Sequence, residues 1–140
     1  MTSGRRGLVV GAVCALLVSL TACSAGGAEY SDLSASRLFD AKGVSDSLTD
    51  EALWGFDRET ARLVGALDGV DVFLASAESS AGACLLAYAS DVDWVSGCVG
   101  GEGSIGEVRG LTFVVLPDGA PVPDDVDRVS DNVFVREQPQ

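Results

Sequence analysis

The sequence contains no histidine and a single lysine, Lys42. The first absence excludes Ser–His and Cys–His nucleophilic mechanisms and zinc sites built on imidazole. The second leaves a Ser–Lys dyad only one base, in a stretch that reads as linker. Basic side chains are scarce altogether: 9 Lys and Arg stand against 21 Asp and Glu, a net charge of −12. A surface of that sign repels phosphate backbones, so nucleic acid is excluded as a partner. No uncharged apolar run reaches the roughly 18 residues that a membrane-spanning helix needs. A phosphate-cradling loop is missing too, because Gly100-Gly101-Glu102-Gly103 has no Lys and no strand–helix setting.

What is present begins at the N-terminus. Arg5 and Arg6 precede Leu8 to Ala22, a stretch of 15 residues without a charge. A basic start and a short apolar run are the layout of a secretory signal. The run ends in Leu20-Thr21-Ala22-Cys23. This motif resembles the lipobox of bacterial lipoproteins. The resemblance implies cleavage between Ala22 and Cys23 and a diacylglyceryl thioether on the Cys23 sulfur. Two acyl chains give lasting membrane attachment where one gives only marginal binding. An ordinary secretory signal with a chance cysteine and an uncleaved anchor are the alternatives. Removing residues 1–22 leaves 118 residues and a net charge of −14. Ser24-Ala25-Gly26-Gly27 opens a stretch, 23–48, that reads as a flexible tether. Within it Tyr30, Leu33, Leu38 and Phe39 are candidates to dock back on the domain. The domain itself is expected over 49–140, a size that folds with little margin and gains from a covalent staple.

Four cysteines take separate roles. Cys14 leaves with the signal, Cys23 takes the lipid, and Cys84 and Cys98 remain as an even pair in an oxidising compartment. A structural disulfide between them is the expectation. A zinc site would want more ligands, a thiol–disulfide catalyst would want Cys-x-x-Cys, and two free thiols would be open to oxidation.

From Thr49 to Leu67 the apolar residues Leu53, Phe56, Val64 and Leu67 fall near one helical face, with Thr49, Asp50 or Asp57 as caps and Asp68-Gly69 as the stop. Gly55 divides this into one or two helices, and Trp54 is expected in the core. Strands are expected at Val70–Ala75, Ala83–Ala89 and Leu111–Leu116, with a short strand or loop over Asp91–Cys98. A hairpin is expected from Val126–Val129 to Val133–Arg136, turning at Ser130-Asp131-Asn132. Gly100 to Gly103 reads as a mobile loop, and Pro117-Asp118-Gly119 as a turn. The architecture implied is α+β: one or two N-terminal helices on a small antiparallel sheet of about four to six strands, with one disulfide. The order of these signals over residues 58–136 also resembles small uncharacterised secreted or lipid-anchored domains common in actinobacteria. That resemblance implies no particular activity and lends no catalytic residues.

Two acidic groupings are candidate sites. Asp91 and Asp93 precede Trp94, as a sugar-binding or glycosidase site would have it, against the plainer reading of a solvated loop before a core aromatic. Asp124, Asp125, Asp127 and Asp131 offer oxygen ligands for Ca²⁺ but lack the EF-hand spacing and its glycine, and read more simply as a charged turn that discourages edge pairing. The expectation is therefore a non-enzymatic binding module without cofactor or metal. It is held on the outer face of the cytoplasmic membrane through Cys23, and it presents an apolar patch near Trp94 or Tyr88 to an envelope protein or ligand. The alternatives are an acidic-residue hydrolase acting on envelope polymers and a purely structural envelope component.

Overall fold

The computed structural model describes residues 27–34, 48–79 and 81–138. Cys14, Ala22, Cys23, Leu38 and Phe39 lie outside the described residues. Among the described residues eight strands form two four-stranded antiparallel sheets. The first is a meander of β1 (Arg62–Leu67), β2 (Val70–Ser76), β3 (Ala83–Ser90) and β4 (Asp93–Val99) in that spatial order. The second contains β5 (Gly103–Val108), β6 (Leu111–Val115), β7 (Asp127–Arg128) and β8 (Val133–Glu137), with β8 inserted between β6 and β7. The α+β expectation is overturned. Among the described residues the helical content is one 3-10 turn, Ser31–Leu33, and no helix packs on either sheet.

The sheets pack face to face as a sandwich. Alternate residues Val70, Val72 and Leu74 of β2 and Ala83, Leu85 and Ala87 of β3 meet Ile105, Phe113, Val115, Val133 and Val135 from the other sheet. Strand side chains alternate between faces, so the intervening residues look outward. Here the outward faces are covered as well. Leu48, Ala52, Leu53, Phe56 and Ala61 lie over Phe73, Ala75, Cys84 and Leu86. Leu116, Ala120 and Val126 pack with Val114 and Phe134 on the second sheet. Covering both faces turns the strand sequences into near-continuous apolar runs, as in Val72-Phe73-Leu74-Ala75.

The segment expected to be helical, 49–67, divides in two. Residues 48–61 form successive turns fastened to the sheet, with the Asp57 amide donating to the Ser76 carbonyl at 2.9 Å and the Ser76 amide to Thr60 Oγ1 at 2.8 Å. Residues 62–67 are β1, paired with β2. Asp68 and Gly69 have φ of 50° and 76°, the positive values of a two-residue type I′ hairpin turn. Close approach of the sheets depends on glycine at two points. A side chain at Gly65 would meet a Val129 methyl at 2.6 Å, and one at Gly106 would meet a Val95 methyl at 2.2 Å. Gly106 also sits at a break in the β5–β6 register. The stretch expected as a mobile loop thus leads into a strand whose glycines let it lie against β4.

Cys84 and Cys98 stand directly opposite each other on β3 and β4 and are joined by a disulfide across 14 residues of sequence. Cys84 is fully buried and Cys98 is exposed. At the far end of the sandwich Arg109 ties three hairpin tips together. Its Nε donates to Asp93 at 3.1 Å, its Nη1 donates to the Asp68 carbonyl at 3.4 Å, and its own turn joins β5 to β6.

Candidate functional site

The densest polar cluster lies at the opposite end, where residues 27–34 enter the fold. Of the stretch expected as tether, these residues are packed. Ala28, Tyr30 and Leu33 rest on the main core, and the Tyr30 hydroxyl donates to the Gly101 carbonyl at 2.6 Å. Burial raises the pKa of that hydroxyl above its ordinary value. Apolar contact sets the segment's position, and hydrogen bonds from two turns 87 to 100 residues away then fix its register.

Asp32 is 4% exposed, and its Oδ2 accepts from the Ser130 hydroxyl at 2.6 Å and the Asn132 amide at 2.8 Å. In return the Asp32 amide donates to Asn132 Oδ1 at 2.8 Å. Asn132 Nδ2 donates to the Leu116 carbonyl at 2.9 Å and to Asp118 Oδ1 at 2.8 Å. Asp118 also accepts from the Ser31 amide at 3.0 Å and the Ser31 hydroxyl at 2.7 Å. The two turns read from sequence as Pro117-Asp118-Gly119 and Ser130-Asp131-Asn132 therefore close on the 3-10 turn between them. An Asp and an Asn exchanging two backbone-directed bonds satisfy buried groups that would otherwise cost about 1–3 kcal/mol each.

The donors on Asp118, first the Ser31 hydroxyl and then Asn132, hold its carboxyl below the usual aspartate value. The cluster works as a clamp. Because the folded-state value is depressed, the stabilisation is present above the ordinary aspartate pKa of about 3.9 and disappears as pH falls through the lower folded value. Chemical denaturation at pH 6 and at pH 3 is expected to show a loss of stability that Asp118→Asn reduces. An unchanged acid slope in that variant would refute the assignment.

Beside the clamp lies an open cleft of about 350 Å³ that Ser31, Asp118, Arg128, Asp131 and Phe134 help to line. The Arg128 guanidinium sits 5.0 Å from the Phe134 ring centroid and 3.6 Å from Asp131. Its charge is thus engaged by an aromatic face and a carboxylate, both partly solvated and of modest strength.

The sequence-derived candidates fare differently. Asp91 receives the Tyr88 hydroxyl and Asp93 receives Arg109, so the two carboxylates are drawn to separate partners. The Asp91 bond, together with burial and the negative charge, raises the Tyr88 pKa. Trp94 stands opposite Tyr88 and packs, half-buried, at the edge of the outer cluster of the first sheet. Trp54, expected in the core, is 82% exposed. It extends from the turn whose Gly55 carbonyl lies 3.3 Å from Cys84 Sγ. Asp125 is held by both Nε and Nη2 of Arg136, at 2.5 and 3.1 Å, which lowers its pKa. Asp124 and Asp127 point to solvent. Among the described residues no three acidic or cysteine side chains are grouped to hold a metal ion. Asp32, Asp118, Ser130 and Asn132 were not singled out as site residues by the sequence. Their turn chemistry was readable, but their meeting point was not.

No family model, no curated protein and no solved structure matches the chain.

Proposed function

We propose that the chain is a lipid-anchored extracytoplasmic domain that acts by binding, held on the outer face of the cytoplasmic membrane through Cys23. The observation that carries this reading is Leu20-Thr21-Ala22-Cys23 behind its basic and apolar leader. The Cys84–Cys98 disulfide supports it, because such bonds persist outside the reducing cytoplasm.

Packing of residues 27–34 gives the proposal a geometry. Only residues 24–26 separate Cys23 from that segment, a reach of at most about 15 Å. The clamp end of the sandwich then faces the lipid, and the hairpin tips at Asp68-Gly69, Asp91-Val92 and Arg109-Gly110 face away. Trp54 is the aromatic offered to a partner, since exposed tryptophan combines large apolar area with little entropy to lose on contact.

Metabolic labelling with a clickable palmitate analogue tests the anchor. Wild-type protein is expected to label and to sediment with membranes, and Cys23→Ala to do neither. Label retained in Cys23→Ala would sink the proposal. For the binding surface, a photo-crosslinking residue at position 54 should give one discrete adduct in native membranes. The same probe at Val122, also exposed, should give none. Equal adducts at both positions would refute a role for Trp54.

A further inference from the structure

Within the turns over 48–61, Leu53 and Phe56 are buried against the first sheet, whereas Trp54 between them is 82% exposed. The backbone that carries it is fastened on both sides. The Trp54 amide donates to the Glu51 carbonyl at 3.3 Å, and the neighbouring Gly55 carbonyl accepts the Glu78 amide at 2.9 Å. Gly55 also lies against the disulfide, where an added Cβ would meet Cys98 Sγ at 3.3 Å. A large apolar ring is thus held out from a fixed turn.

The charges beside it have one sign. Glu51 and Glu78, whose main chains bond this turn, are exposed, and so is Glu59. The basic residue of the turns, Arg58, is engaged by Asp50. Among the described residues no Lys or Arg forms an ion pair with Glu51, Glu59 or Glu78.

An indole face attracts a cation through its quadrupole, and carboxylates nearby add a Coulombic attraction that steers the encounter. A guanidinium uses both at once, because its plane stacks on the ring while its N–H groups reach carboxylates. An ammonium is a more strongly hydrated point charge and gains less from the ring. An acidic partner would be repelled, and a second copy of this chain, at a net charge of −12, brings the wrong sign.

We propose that the surface around Trp54 docks an arginine-rich segment of a partner protein, with a guanidinium stacked on the indole and Glu51 and Glu78 balancing its charge. The proposal rests on Trp54 as the partner-facing aromatic and adds the chemistry of the partner.

Capped tetra-arginine and tetra-lysine peptides, titrated separately into the purified full chain at low salt, test it. Binding is read by calorimetry and at the indole Nε1–H resonance of Trp54, assigned by its loss in Trp54→Leu. Any acidic protein attracts both peptides, so the ratio of their affinities is what reports the ring. Wild type is expected to bind tetra-arginine about three- to fivefold more tightly than tetra-lysine. The preference should vanish in Trp54→Leu, a change at an exposed position. Glu51→Gln/Glu78→Gln should weaken both peptides by about two- to tenfold. Asp71→Asn/Glu107→Gln removes the same charge from exposed positions beside the hairpin tips and should weaken them much less. Equal affinity for the two peptides in wild type, a preference that survives in Trp54→Leu, or equal weakening by the two double variants would each overturn the proposal. An aromatic photo-crosslinker at position 54, which keeps a ring there, separates this proposal from the reading it rests on. A discrete adduct in native membranes that excess tetra-arginine suppresses supports both. An adduct that tetra-arginine leaves untouched keeps Trp54 as the contact and overturns the basic partner, and the absence of any adduct overturns both.

Discussion

Asn132→Ala is expected to destabilise the domain by about 3–4 kcal/mol, the largest single-site effect that the clamp implies. Asn132 is 1% exposed and joins three segments. Its removal leaves the Asp32 amide and the Leu116 carbonyl buried without their partners and takes one donor from Asp118. Each orphaned backbone group costs about 1–3 kcal/mol, and the small cavity adds to that. For a domain of this size the melting temperature is expected to fall by roughly 15 °C. Asn132→Asp should be no better. It keeps an acceptor for the Asp32 amide but loses the donor to Leu116 and adds a negative charge between Asp32 and Asp118. Val92→Ala, at a position 94% exposed, is the control and should leave stability unchanged. Hydrogen exchange at the Asp32 and Leu33 amides should accelerate in Asn132→Ala by more than elsewhere. Uniform acceleration, or a melting temperature within a degree or two of wild type, would mean that the clamp does not hold residues 27–34.

The second large effect is loss of the disulfide. A cross-link over 14 residues lowers the entropy of the unfolded chain by an amount worth about 3 kcal/mol at room temperature. Net stabilities of small domains are about 5–15 kcal/mol, so the bond is a large fraction of the whole. The double variant Cys84→Ala/Cys98→Ala is expected to unfold at correspondingly lower denaturant. A thiol reductant should lower wild-type stability towards the same value, since Cys98 is exposed to it, and should not affect the double variant. A reductant effect on the double variant would show that the stability change does not come from this bond.

Most strands that could be read from sequence have apolar residues on both faces, and the exposed β7, paired with β8, was readable from the turn residues between them. Val70–Ser76, Ala83–Ser90 and Leu111–Val115 were legible because each is buried from two sides. The same property misled the reading of 49–67. With Leu53 and Phe56 on a covering turn and Val64 and Leu67 on β1, spacing alone produces a helical stripe from two unrelated elements. Asp68-Gly69 fits a helix stop, but Asp-Gly between apolar stretches is also the strongest short hairpin signal. That alternative would have recovered β1. β5 was hidden for a different reason. Gly103 and Gly106 look like loop residues until Val99 and Val95 are known to press against them. Trp54 belongs to the same class of error, because its exposure depends on which face of a turn meets the sheet. The cysteine pair was legible by elimination, and pairing across neighbouring strands places it in the structure. The clamp was not legible at all. Asp32 and Asn132 are 100 residues apart, and neither residue type nor local spacing announces that they meet.

Arg62 carries a related lesson. In sequence it falls within 49–67, the stretch expected to be helical, where a charged residue reads as part of the solvent face. Only the register with Leu74 turns it inward.

The most direct measurement of the central claim is the intact mass of the protein extracted from native membranes, with its N-terminal peptide sequenced by fragmentation. A chain beginning at Cys23 with a diacylglyceryl group on its sulfur, and with Cys84 and Cys98 two hydrogens short of free thiols, is the expected result. A chain that retains Met1, or that begins at an unmodified Cys23, would contradict it.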